Sequence, residues 1–104
     1  MGFFAGYSIS SSGIVYFTSD PISPGFNVFT SIALSRFNIN PPGGHAVAGI
    51  WKWESYDAGG QPVTHDVGSD WVTQNSAFIN NCRSVTYILV VDGFATAQVG
   101  LATF

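Results

Sequence analysis

The chain has 104 residues and a formal net charge of −3, and only 9% of its residues are charged, while 46% are hydrophobic and 15% aromatic. An ordinary soluble domain carries about a quarter charged residues. Three scattered cations, Arg36, Lys52 and Arg83, cannot follow a phosphate track or hold an anionic bilayer, which argues against nucleic acid and membrane surfaces as partners.

The length suits one domain spanning residues 1–104 with a single core. One cysteine, Cys82, leaves no intrachain disulfide, so packing must hold the domain together. Residues 1–9 lack the basic start and long apolar stretch of a secretion signal. The longest apolar run, residues 87–91, falls far short of the ~20 residues that cross a bilayer. The expectation is a soluble chain without a membrane span, cytoplasmic or released without a visible leader, its compartment left open.

Helix periodicity is absent, and Gly, Ser, Thr, Val and aromatic residues dominate, so the chain reads as all-β. Residues 3–10 alternate, with Phe3, Ala5, Tyr7 and Ile9 on one face. Ser11-Ser12-Gly13 is a turn, and residues 14–18 form the returning strand. Two prolines, Pro21 and Pro24, stiffen the loop that follows. Phe26, Val28, Ile32 and Leu34 share a face, but Phe37 and Ile39 fall on the other parity. A β-bulge near Ser35-Arg36 accounts for that slip.

Residues 40–44 break the chain, and residues 45–56 read as a long strand with Val47, Trp51 and Trp53 on one face. Residues 57–62 form a flexible loop; residues 63–67 and 71–73 are short strands around Gly68-Ser69. Residues 74–83 are polar and irregular, anchored by Phe78 and Ile79. Residues 85–91 are apolar on both faces, the mark of a central, doubly covered strand. Asp92-Gly93 signals a type I′ hairpin that pairs this strand with residues 94–104. Seven to eight short strands with regular turn signals give an antiparallel, jelly-roll-like β-sandwich.

Three constellations could carry chemistry. The first is the tryptophan strand, where Trp51 and Trp53 either fill the core or form a ledge on which a sugar ring stacks. The second is the turn at residues 65–70. Trp71, Asp66, Asp70 and His65 form the expected binding loop, with Trp53 and Asp57 next in line. Carboxylates accept hydroxyl hydrogen bonds strongly, and Trp71 supplies the flat apolar wall. The competing readings of this turn are a buried Trp71 with acids that cap their own backbone, and an oxygen-rich Ca²⁺ site. The third is Cys82 with His45 or His65, a nucleophile pair without a local motif to depress the thiol pKa. A small buried hydrophobe is the ordinary role of such a cysteine.

These readings converge on a non-enzymatic, carbohydrate-binding, lectin-like domain. It needs no cofactor or metal, takes a glycan or other small polar ligand, and acts as a homo-oligomer because shallow sites gain avidity by multivalency. The competing expectation is a structural self-assembly subunit, of a virion, phage tail or surface array. There the charge-poor faces would serve subunit packing. The flat face at residues 96–102 and the Phe3-Phe4 edge are the expected contacts.

Overall fold

The computed structural model describes residues 3–36 and 45–104. Eight strands carry the chain: β1 (Phe3–Ser11), β2 (Ile14–Thr18), β3 (Val28–Arg36), β4 (Ala46–Tyr56), β5 (Pro62–Asp66), β6 (Ser76–Ile79), β7 (Cys82–Val91) and β8 (Ala95–Thr103). They form two antiparallel four-strand sheets, ordered β1-β8-β3-β6 and β2-β7-β4-β5. The pairing is nested: β4 lies beside β5, β3 beside β6, β2 beside β7 and β1 beside β8. A chain doubled back around the β4–β5 loop and rolled into two facing layers is a jelly roll. No helix of the described residues is long and apolar enough to cross a membrane.

Alternation places the core. In β1, Ile9 is buried and Tyr7 packs on the core from the same face, while Ser8 and Ser10 are exposed. In β3, Val28, Thr30 and Ile32 are buried, and the ladder to β8 slips between Leu34 and Arg36. That slip is the bulge the parity change predicts. Phe37, Ile39 and the break at residues 40–44 lie outside the described residues. In β8, Ala95, Ala97, Val99 and Leu101 all turn inward. Strand β7 is central in its sheet and covered on both faces: Val85, Tyr87 and Leu89 are in the core, and the outward Ile88 is also buried.

Four local expectations give way to the jelly-roll topology. Asp92-Gly93 does not close a hairpin, because β7 and β8 belong to different sheets. Gly93 has the positive φ (113°) the turn signal requires, but Asp92 does not join it in the left-handed region, as a type I′ turn demands. Ser11-Ser12-Gly13 likewise carries the chain across the sandwich and pairs no returning strand. Turn chemistry dictates a reversal of direction; whether the strands then pair depends on which edges other strands have taken. Residues 71–73 are not a strand: Gly68–Val72 is a 3₁₀ turn, entered at Gly68 with φ 74°. Residues 74–83 are not irregular, since they hold β6 and the start of β7.

The corner between β6 and β7 is held by Asn81, a non-glycine residue at φ 51°. Its Oδ1 accepts from the Gly25 amide at 2.8 Å, and its Nδ2 donates to the Tyr56 carbonyl at 3.0 Å. Its own amide donates to Asn27 Oδ1 at 3.1 Å. One short amide side chain therefore ties the β2–β3 loop to the end of β4. Asn tolerates this backbone region better than other side chains do.

One polar bridge crosses the interior. Thr30 of β3 donates its hydroxyl proton to the Gly100 carbonyl at 2.8 Å, and the same oxygen meets the hydroxyl of Tyr87 from β7 in the opposite sheet. A threonine has one proton to give, so Tyr87 donates to Thr30. Burial pushes the Tyr87 phenol well above the usual tyrosine range, keeping it a donor. The two residues are not equivalent in this bridge. Tyr87→Phe leaves Thr30 bonded to Gly100 and should cost about 1 kcal/mol, whereas Thr30→Val strands a buried phenol and should cost about 1–3 kcal/mol. Urea unfolding of the two variants checks the order; equal losses would contradict the donor assignment.

Candidate functional site

The outward face of the β2-β7-β4-β5 sheet is organised by a bulge in β4. The ladder to β7 slips between Ile50 and Lys52, so Trp51 and Lys52 together oppose Thr86. Before the bulge Ile50 is buried, and after it Trp53 packs against the core. Trp51 and Lys52 both emerge on the outer face, where they line a groove with Tyr16, Thr18 and Thr86. This corrects the expectation that Trp51 and Trp53 project the same way. An extra residue re-aims the side chains on either side of it, and bulges of this kind are common beside functional sites.

Two ranks of side chains cross that outer face. The polar rank follows from register: Thr18 lies opposite Thr86, Thr86 opposite Lys52, and Lys52 opposite Asp66. The Thr18 and Thr86 hydroxyls hydrogen-bond each other at 2.9 Å. The aromatic rank runs beside it. Trp51 meets Tyr16 edge-on with ring centroids 5.4 Å apart, and meets Trp71 edge-on at 6.3 Å. Tyr16 is half exposed. The groove between the ranks has a volume of about 330 Å³.

Trp71 reaches this rank because the 3₁₀ turn lies directly on β4. A Cβ at Gly49 would stand 1.9 Å from the Trp71 carbonyl oxygen, so no other residue admits the turn there. The segment is then pinned to β4: the Ile50 amide donates to the Gln74 carbonyl at 2.8 Å, and Asn75 Nδ2 donates to the Ala48 carbonyl at 3.2 Å.

The four residues expected to form the binding loop, and the two next in line, are divided by this geometry. Trp71 and Asp66 sit on the outer face. His65 stacks on Trp53 with ring centroids 4.3 Å apart and planes 16° from parallel, and register sets both toward the interior side of the sheet. Trp53 packs against the core, and His65 lies exposed over it. Asp57 caps its own hairpin, its Oδ1 accepting from the Gly59 and Gln61 amides at 2.9 Å each. Asp70 is exposed in the 3₁₀ turn, where its carbonyl, not its carboxylate, accepts from the Thr73 amide at 3.0 Å. No side-chain cap closes the start of that turn. Asp66 and Asp70 therefore do not act as turn caps. Among the described residues no three His, Cys, Asp or Glu side chains gather as a metal site would require.

Glu54 is held by Arg83 at 2.8 Å and by the Ser84 hydroxyl at 3.1 Å. Cys82 is fully buried, its Sγ 3.7 Å from the Ser84 carbonyl, and burial pushes its thiol up to about 11. His45 is exposed at the start of β4 and His65 is committed to Trp53. The nucleophile pairing considered from the sequence does not form.

Tyr16, Thr18, Lys52 and Thr86, which line the groove, stand outside the binding loop that the sequence predicts. The signal was present in β4. Ile50 and Trp53 are three apart, an odd spacing that cannot place two core residues on one face of an unbroken strand. The same parity argument that locates the β3 bulge applies there. Comparison with protein-family models gives no match, and no curated protein matches the chain.

Two measurements follow from this geometry. Gly49→Ala should lose about 1–3 kcal/mol despite adding a single methyl, because the obstacle is backbone. Thermal melts and near-ultraviolet circular dichroism, which reads the Trp51–Trp71 contact, check it; unchanged spectra and melting would refute the close approach. For Cys82, the folded thiol keeps its proton up to about pH 11 while the unfolded one releases it near 9.0. The unfolded state thus binds fewer protons in that window, and stability falls as pH rises through it. Wild-type protein should lose about 2 kcal/mol more than Cys82→Ala between those pH values, read from urea midpoints.

Proposed function

We propose that this chain is a non-enzymatic, carbohydrate-binding jelly-roll domain that works as a homo-oligomer, with its site on the outer face of the β2-β7-β4-β5 sheet. The fold by itself does not choose a function, since jelly rolls serve as lectins and as capsid subunits alike. The observation that carries the reading is the polar rank Thr18–Thr86–Lys52–Asp66 lying beside the aromatic rank Tyr16–Trp51–Trp71. A pyranose has one face of C–H groups and a rim of hydroxyls. The first stacks on indole and phenol rings, and the second needs donors and acceptors a few ångströms away. Lys52 donates, Asp66 accepts, and the two threonines do either. A shallow groove holds one or two sugar units weakly, so several copies would be needed for useful avidity.

The structural self-assembly reading has one specific observation in its favour: the other sheet carries a single charged residue, Arg36, at the bulged end of β3. It differs from the first reading in requiring no sugar.

A glycan array probed with wild type and two tryptophan variants separates the readings. Trp51→Ala should abolish glycan retention with little change in melting temperature. Trp53→Ala, which opens the core flank, should instead lose about 3 kcal/mol of stability. Retention of glycans by a folded Trp51→Ala protein would move the site elsewhere. A wild type that binds no glycan would leave the assembly reading.

A further inference from the structure

The outer face of the β1-β8-β3-β6 sheet has a relief that its register makes explicit. Ala102, Phe29 and Phe78 lie opposite one another across β8, β3 and β6. Phe29 and Phe78 are 48% and 56% exposed, and Phe78 leans on Phe104 with ring centroids 5.4 Å apart. The next outward rank is Gly6, Gly100, Ser31 and Ser76, which spans all four strands with no side chain larger than a hydroxymethyl. The third is Ser8, Gln98 and Ala33. A ridge of aromatic rings therefore runs parallel to a floor of small residues, which opens as a groove of about 400 Å³. Outward ranks of one sheet face are about 7 Å apart.

We propose that this face binds a second copy of the chain, ridge into floor. A twofold axis lying in the interface, across the strands and midway between the two ranks, sets Phe29 of each copy over Ser31 of the other. It likewise sets each Phe78 over Ser76. The contact is self-complementary, as a closed dimer interface must be. Large residues facing small ones are what let two sheets approach to about 10 Å.

Two observations commit the face to a second copy. One is charge. The four strands of this sheet contain one charged residue, Arg36, at the end of β3, whereas the opposite sheet contains Lys52, Glu54, Asp66 and Arg83. A neutral face meets its own twin without opposing like charges; the charged sheet would not. The other is area. Three nine-residue strands and one of four residues present about 500 Å² of sheet face, given about 3.4 Å per residue and about 4.8 Å between strands. Two copies bury about 1,000 Å², the lower bound of a specific interface. An interface of that size belongs with weak, reversible associations.

The inference rests on the self-association part of the proposed function and not on the sugar site. Sedimentation equilibrium from micromolar to sub-millimolar protein tests it, with circular dichroism and melting temperature reporting the fold of each variant. Wild type should run as a monomer–dimer equilibrium. Ser31→Arg, which sets an unpaired guanidinium under the partner's ridge, should weaken it at least about tenfold. Phe29→Ser, which removes part of the ridge without adding charge, should also weaken it. Thr64→Arg, exposed on β5 of the other sheet, should leave it unchanged. A monomer throughout the range overturns the proposal, as does undiminished association of folded Ser31→Arg and Phe29→Ser. Dissociation of Thr64→Arg to the same extent would also overturn it, by moving the contact to the other sheet. Glycan binding is scored separately: a dimer that retains no sugar keeps this interface and loses the sugar site, and a sugar-binding monomer does the reverse.

Discussion

The extra residue in β4 is the constraint on which the outer face of its sheet depends. With an unbroken ladder, Ile50 and Trp53 could not both be core residues, and Trp51 would not share a side with Lys52. The bulge lets the strand keep Ile50 buried, send Trp51 and Lys52 outward together, and return Trp53 to the interior. Bulges bend their strand and raise its local twist. Just before this one, Gly49 offers the bare backbone on which the 3₁₀ turn settles. The aromatic rank is therefore assembled by two adjacent irregularities in one strand, one adding a residue and the other omitting a side chain.

The two sheets divide the chemistry of the molecule. Sheet β2-β7-β4-β5 holds the Arg83–Glu54 pair, Lys52 and Asp66, along with Trp51 and Trp53. The other sheet presents glycine, serine, alanine, glutamine and phenylalanine. A chain so poor in charge has little with which to keep water on every face, and of the five charged residues in its strands four belong to one sheet. Edge strands and flat neutral faces invite contact with other chains, so the neutral side is the one whose solubility depends on cover.

Much of this was legible in the sequence, and the losses have identifiable causes. Composition and alternation gave the all-β class, the inward Tyr7 and Ile9 of β1, the doubly buried β7 and the bulge after Leu34. Each of these depends on side-chain parity within one strand, which a sequence records directly. Most of what failed depended on contacts between strands distant in the chain. Asp92-Gly93 demanded a reversal, and Gly93 supplied the positive φ, yet β7 and β8 lie in different sheets because β2 and β4 occupy both edges of β7. The sequence predicts a binding loop local in the chain, whereas the ranks on the outer face draw Tyr16, Trp51, Asp66 and Thr86 from four strands. Asp57 looked like a ligand group and is a turn cap; nothing in its neighbours separates the two roles without the loop geometry.

The nesting of the strand pairs has a consequence for how the fold is reached. The β4–β5 hairpin closes over five residues, 57–61, and each later pair encloses the one before it. Once an inner pair has formed, the next loop to close is short in effective length, so the entropic cost of closure is spread over successive steps. In both sheets the early strands meet only through a late one: β2 and β4 through β7, and β1 and β3 through β8, the last strand in chain order. Until β8 inserts, β1 and β3 stand with unpaired edges and the neutral sheet has no centre. During synthesis, β1 is therefore made first and stabilised last, and for that interval the molecule is exposed to mispairing with other copies of itself.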